Sequence, residues 1–373
     1  MGVKYIRGSQ VIILSNALNN STQQTTPPFS KRILGYFGLA GIFFALSFAS
    51  LYVVHHYFST GKVQIPDTLL SAPVITSLII LLIVYFLADG LRLYAVIRAM
   101  GYQIPFLYIM KLVFINIFVS SVTPLATGGG VVQVYFMKQQ GMPIGEATAA
   151  TSIRTILAAL ILFTLTPIII WIDPEMFQMF SHGKLLYGVT IFSVLYLTVF
   201  WIILFRIRLL KRWMFYGLLL LKRTKIISKS RCRRYYLRVS QETGRFSAGF
   251  KRYFRGNSQW VVLSVVMTTA FLFLLFSFSV VLIKALGYEI STITVLAFQV
   301  VVTFFMYFAP TPGATGVAEG GYGLLFAQIV HKQDITILTL SWRFLTIYVG
   351  VAIGILVIYR EIFGRKKMTH HAD

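Results

Sequence analysis

Charge is what this sequence has least of. Only 12% of its 373 residues are charged, about half of the roughly 25% found in soluble domains. The shortage falls on the acids: 11 Asp and Glu stand against 34 Lys and Arg, for a net charge of +23. With 57% hydrophobic residues, a soluble globular domain is excluded. One cysteine, Cys232, excludes an internal disulfide. No H-E-x-x-H, paired-cysteine or G-x-S-x-G pattern occurs, and His55-His56 and His370-His371 stand isolated. No metal, cofactor or catalytic constellation is therefore expected. Gly128-Gly129-Gly130 is no nucleotide loop, because it lacks the preceding strand and the Lys-[ST] that a P-loop requires. The apolar run 11–14 is too short for a secretory signal, and residues 1–30 read as a disordered polar leader.

What the chain has in abundance is long apolar runs. Spans are predicted at about 33–54, 74–97, 147–172, 186–205, 260–283 and 335–359, each near the 20 or so residues that cross a bilayer. Two further runs, 106–122 and 293–309, each stop at a Thr-Pro loop. Between the halves, residues 206–258 carry 16 Lys or Arg and one acid, Glu242, a net of +15. Within that interval 209–221 reads as an interfacial helix with basic residues toward the headgroups. Its expected partner is the anionic membrane surface; nucleic acid fits the charge but not the setting.

Basic residues mark the cytoplasmic side, which places there the leader, the 92–98 end, the 206–258 loop and the Arg365-Lys366-Lys367 tail. That assignment holds only if 106–139 and 293–331 enter and leave on one side each. The expected architecture is an all-α polytopic protein of the cell membrane, with six full spans, two re-entrant hairpins and both termini cytoplasmic. Its parts are the leader 1–30, a first half 31–205, the basic loop 206–258, a second half 259–360 and the tail 361–373.

The two loops echo each other. Thr123-Pro124-Leu125-Ala126-Thr127-Gly128 matches Thr311-Pro312-Gly313-Ala314-Thr315-Gly316 at five of six positions. Arg154 of Ser152-Ile153-Arg154 lies 31 residues after Thr123, and Arg343 of Ser341-Trp342-Arg343 lies 32 after Thr311. With hairpins entering from opposite sides, the halves read as an inverted repeat, an arrangement that places transporter sites at the repeat interface.

Charges inside spans are rare and usually functional. Here they are Asp89, Arg92, Lys111, Arg154, Glu319 and Arg343. Asp89 and Arg92 are three apart on one helix, spaced to pair; Lys111 is within snorkelling reach of the interface. Arg154 and Arg343 need anions, and Asp89 and Glu319 are the deep acids on offer, so one or both arginines are left for a ligand phosphate. If short helices start at the Gly-rich loops, their N-termini add to the attraction for anions, and the glycines admit a ligand to the backbone. Glu319 is open to three roles: balancing Arg343, receiving an amine, or titrating.

The order Pro124, Gly128-Gly129-Gly130, Arg154, then Pro310-Thr311-Pro312-Gly313, Gly316, Glu319 and Arg343 resembles the lysylphosphatidylglycerol synthase transmembrane, or flippase-like, family. The resemblance covers about 33–359, and the family includes the N-terminal lipid-flipping domain of the bacterial multiple peptide resistance factor. It implies movement of an anionic or aminoacylated phospholipid, such as lysyl-phosphatidylglycerol, between leaflets. Such chains are often named phosphatidylglycerol lysyltransferase, but the synthase part of the two-domain members is a soluble C-terminal domain. About a dozen residues follow Tyr359, so aminoacyl transfer is not expected of this chain alone. Gln133 is a departure, since the family often carries an acid a few residues after the early glycines. Two alternatives stay open: a membrane enzyme or accessory subunit of phosphatidylglycerol aminoacylation or polyprenyl-phosphate and lipid-linked sugar metabolism, and a partner of a separate synthase recruited through the basic loop.

Overall fold

The computed structural model describes residues 29–58, 65–172, 185–205 and 229–369. The polar leader through residue 28, the 209–221 stretch and the tail histidines lie outside the described residues. Every regular element among those described is helical: α1 Phe29–Phe58, α2 Ala72–Ala99, α3 Phe106–Val122, α4 Thr127–Gln139, α5 Ile144–Ile172 and α6 Leu185–Phe205. Then come α7 Lys229–Arg255, α8 Ser258–Ala285, α9 Thr292–Met306, α10 Val317–Phe326, α11 Lys332–Arg343 and α12 Val349–Thr369. Five stretches are long and apolar enough to cross a membrane: Gly38–Phe58, Ala72–Ala99, Ile144–Ile172, Ser258–Ala285 and the joined α11–α12 stretch Lys332–Glu361. The remaining predicted span falls on α6, whose apolar stretch Tyr187–Thr198 is shorter.

The Thr-Pro loops are the turns of two helical hairpins. In the first, Tyr108 near the start of α3 donates a hydrogen bond to the Phe136 carbonyl near the end of α4. Gln133 likewise donates to the Leu112 carbonyl at 3.1 Å, so α3 and α4 run antiparallel. Proline explains why each apolar run stops: it lacks an N–H and biases the preceding residue away from the helical region. At about 1.5 Å per residue, the 13 residues of α4 and 10 of α10 fall short of a hydrocarbon core of about 30 Å.

Exchanging the halves preserves the main packing pattern. Helices α2 and α8 pack on each other; α3 packs on α12 as α9 packs on α5; and the two hairpin turns touch. A matching pair of corners completes the pattern. Gly101 and Gly287 end α2 and α8 at φ 85° and 86°, a left-handed conformation that glycine adopts without steric cost. Each is followed by a tyrosine whose hydroxyl bonds an acid in the first turn of a later helix. Tyr102 meets Glu146 of α5 at 2.9 Å, and Tyr288 meets Asp334 of α11 at 2.6 Å. Burial and then the bond to Asp334 push the Tyr288 hydroxyl up to about 12; burial and the bond to Glu146 raise Tyr102 as well.

One part of the basic interval differs from the loop expected there. Its residues Lys229–Arg255 form α7, which packs along α5. Phe246, Phe250 and Tyr253, spaced four and three apart, put an apolar stripe on an otherwise basic helix. Small residues let the two helices approach closely: a Cβ at Gly249 would stand 2.7 Å from that of Ala149.

Candidate functional site

A cavity of about 700 Å³ lies where the two hairpin turns meet. Its wall includes Leu125, Ala126, Thr127 and Gly130 from the first turn and Thr311, Gly313 and Ala314 from the second. The turns share an unusual backbone. After each proline come two left-handed residues, Leu125 (φ 54°) and Ala126 (φ 52°) in one, Gly313 (φ 60°) and Ala314 (φ 57°) in the other. For a non-glycine residue that conformation costs roughly 1–2 kcal/mol, and such strain clusters at ligand clamps and switch regions.

The charges at the cavity wall are Arg92 of α2 and Arg154 of α5, both paired with Asp89 of α2. Asp89 and Arg92 of α2 pair as their spacing requires, Arg92 Nε standing 2.6 Å from Asp89 Oδ1. The same oxygen receives Arg154 Nη2 of α5, also at 2.6 Å. Two guanidiniums thus share one carboxylate, leaving one net positive charge. Asp89 is 2% exposed and Arg154 6%; both arginines line the cavity. Arg92 also stacks 3.7 Å above the Phe271 ring of α8, a favourable seat for a cation. Gln133 Oε1 stands 3.4 Å from Arg154 Nη1. Among the described residues, Arg92 Nη1 and Arg154 Nε are buried without a hydrogen-bond partner, and a buried unmade bond is costly.

Arg343 has other surroundings. It and Glu319 are both 0% exposed, with Arg343 Nε and Glu319 Oε1 2.8 Å apart. That contact is close enough for an ion pair but misses hydrogen-bond geometry, since neither atom has a hydrogen-bond partner among the described residues. Arg343 Nη2 donates to the Gly313 carbonyl at 3.0 Å. Glu319 Oε2 accepts the Gly316 N–H at 2.7 Å and the Ser50 hydroxyl of α1 at 3.2 Å. Glu319 thereby caps its own helix, in the manner of a capping box. Neither Glu319 nor Arg343 is part of the cavity wall.

The glycines divide in the same way. A Cβ at Gly128 would stand 2.6 Å from Thr123, and one at Gly129 would collide with Ser120 and Asn116. These two glycines serve the close packing of α4 on α3. Gly130 instead faces open space at the cavity wall. Gly313 (φ 60°) and Gly316 (φ 89°) hold turn conformations, and a Cβ at Gly313 would stand 2.6 Å from Phe43. Thr311 donates to the Thr315 carbonyl at 2.7 Å and closes the second turn. At the first turn, Thr123 Oγ1 receives the Gly128 N–H at 3.1 Å.

Further cavity residues escaped the sequence reading: Asn116 and Ser120 on α3, Thr151 and Thr155 on α5, and Tyr307 after α9. The first two pairs are each four apart on one helix face. A polar pair at that spacing inside an apolar run is a signal that could have found them.

Comparison with known proteins fits this geometry to a family. A UPF0104 membrane protein of Archaeoglobus fulgidus is 22% identical over 283 residues, covering 76% of this chain and 84% of the relative. No solved structure matches. The family model described as "Lysylphosphatidylglycerol synthase TM region" matches residues 33–354, a stretch that takes in both hairpins, Asp89, Arg92, Arg154, Glu319 and Arg343. The chain is a multi-pass membrane protein and belongs to that family.

Proposed function

We propose that this protein translocates an anionic or aminoacylated phospholipid, such as lysyl-phosphatidylglycerol, between leaflets of the cell membrane. The observation that carries the reading is that two arginines at the cavity wall share a single aspartate. A phosphodiester supplies the missing anion, and guanidinium forks match its oxygens. The headgroup sits between the two turns, against Arg92 and Arg154, with Asn116, Ser120 and Thr155 around it. The hairpins are re-entrant and the halves form an inverted repeat with both termini cytoplasmic, so that rocking one half against the other opens the same site to either leaflet. The matched packing and the paired Gly-Tyr corners support this.

Arg154 grips the phosphate. Arg92, stacked on Phe271, holds Asp89 and supplies a second donor. Glu319 and Arg343 act as a structural pair that fixes the second turn. Asp89 is engaged by two arginines, so the amines of an aminoacyl headgroup rest on hydroxyls and carbonyls rather than on a carboxylate. The test is reconstitution of the full chain in vesicles with headgroup-labelled phosphatidylglycerol or lysyl-phosphatidylglycerol, reading leaflet exchange with an impermeant quencher or amine reagent. Arg154→Gln is expected to slow exchange roughly tenfold or more, the loss of one charge-assisted hydrogen bond. Exchange at the wild-type rate in that variant overturns the assignment.

A further inference from the structure

A second basic cleft lies away from the hairpin turns, where the C-terminal end of α2 meets the corner between α7 and α8. Its volume is about 440 Å³, and its wall includes Arg98, Arg252, Arg255, Tyr102, Asn257 and Trp260. The corner is built tightly: a Cβ at Gly256 would collide with the Ala99 carbonyl at the end of α2. Three arginines face one acid. Arg252 is engaged by Glu146 at 3.0 Å and by the Tyr102 hydroxyl at 3.3 Å. Among the described residues, Arg98 and Arg255 form no ion pair. The Arg98 guanidinium lies over aromatic rings, 5.2 Å from the Trp260 centroid and 5.9 Å from that of Tyr94.

Basic residues in the last turns of α2 and α7 complement those helices' dipoles, which accounts for their sign. It does not account for their convergence on one open cleft, nor for what else stands there. The positive end of the 28-residue α8 also begins here, capped by Asn257, whose side chain accepts the Gln259 N–H at 2.9 Å. The same two helices also carry exposed apolar side chains: Phe254 of α7 is 63% exposed and Val262 of α8 60%. Tryptophan next to arginine, on helices that also expose apolar side chains, is the composition of a membrane–water interface. A soluble phosphate needs the arginines only; a phospholipid uses both.

We infer that this cleft is a binding site for the phosphodiester headgroup of an anionic phospholipid, separate from the cavity between the hairpin turns. Arg98 and Arg255 take the phosphate oxygens, Trp260 covers the glycerol, and the chains run along Phe254 and Val262.

The experiment is native mass spectrometry of the full chain in detergent, carrying Arg154→Gln so that the other cavity contributes least. Phosphatidylglycerol, phosphatidylcholine and inorganic phosphate are titrated in turn. The Arg98→Gln, Arg255→Gln pair of substitutions is expected to weaken one phosphatidylglycerol site about a hundredfold, roughly tenfold for each charge-assisted bond lost. Arg98→Lys with Arg255→Lys keeps the charge but loses the fork, and is expected to bind with intermediate affinity. Thermal unfolding of each variant separates a lost site from a lost fold; if the Gln pair unfolds early, the Lys pair alone decides. Three results overturn the inference: equal phosphatidylglycerol occupancy with and without the arginines, equal retention of phosphatidylcholine, or binding of inorganic phosphate with no lipid.

Discussion

Arg154 takes its carboxylate from a distant helix of its own half and shares it with Arg92. Arg343 takes its carboxylate from the hairpin just before it and, among the described residues, shares it with no second arginine. Both follow the same five-of-six loop words at nearly the same distance, yet the first cluster carries a net positive charge onto a cavity wall and the second is neutral and sealed. Removing ions from water is expensive, and a buried pair must be well bonded to recover the cost. The Glu319 side recovers much of it through the Gly316 amide and the Gly313 carbonyl. Both sides leave buried donors without a hydrogen bond among the described residues, Arg92 Nη1 and Arg154 Nε on one and Arg343 Nε and Nη1 on the other, but only the first two belong to residues of the cavity wall. If the proposed repeat and lipid site hold, the two halves keep the arginine while dividing the labour, one bracing the structure and the other facing the ligand.

The contrast can be broken by substitution, beginning where the largest effect is expected. Asp89→Asn strands two buried guanidiniums together; the cost should reach or exceed about 3–5 kcal/mol, the penalty of an unpaired buried charge, and little folded protein should survive extraction. Arg343→Met strands Glu319 at a similar cost of about 3–5 kcal/mol. The compensated pair Glu319→Leu with Arg343→Met should recover most of the thermal stability and retain lipid exchange, which Asp89→Asn with Arg154→Gln should not. Arg154→Gln alone leaves the Asp89–Arg92 pair in place, so its unfolding curve should shift by no more than about 1–2 kcal/mol, a typical single-substitution effect.

Smaller effects sharpen the comparison at the turns. Leu125→Gly should stabilise the protein by about 1 kcal/mol through relief of a left-handed residue, measurable as a raised melting temperature. Gly313→Leu, the reciprocal exchange, should destabilise it, because Phe43 occupies the space. The smallest effect is at the corners. The Tyr288 hydroxyl is raised from its ordinary 10 to about 12, so the fold favours its protonated form. Its contribution should be complete below pH 10 and fade as pH climbs toward 12. Tyr288→Phe should flatten the stability profile across that interval.

Much of the fold was legible because bilayer thickness sets the length of an apolar run, and Pro and Gly punctuate it. The hairpin turns were found from a repeated hexamer, and α6 from hydrophobicity alone. Helix α7 was not, because sixteen basic residues across 206–258 outweigh the modest signal of Phe246, Phe250 and Tyr253. The Gly-Tyr corners were missed because a two-residue match carries little weight until both tyrosines are seen to meet acids more than forty positions away. At the site, the spacing of Asp89 and Arg92 showed that they could pair. The sharing with Arg154, 65 residues on, depends on how α5 crosses α2, which no local pattern encodes. The early glycines misled in a specific way: Gly128 and Gly129 exist to let α4 approach α3, and of the three only Gly130 adjoins the open cavity.

Gln133 uses both ends of its amide, one on the Leu112 carbonyl and the other toward Arg154. An amide and a carboxylate have the same shape, so Gln133→Glu would cancel the wall's surplus charge with scarcely a change in volume. Preference would move from ligands with one net negative charge toward zwitterions. The same exchange would turn an oxygen lone pair toward the Leu112 carbonyl and loosen the hairpin. Under the proposed function, ligand preference and hairpin rigidity are thus tied to a single nitrogen atom, and neither can drift without the other.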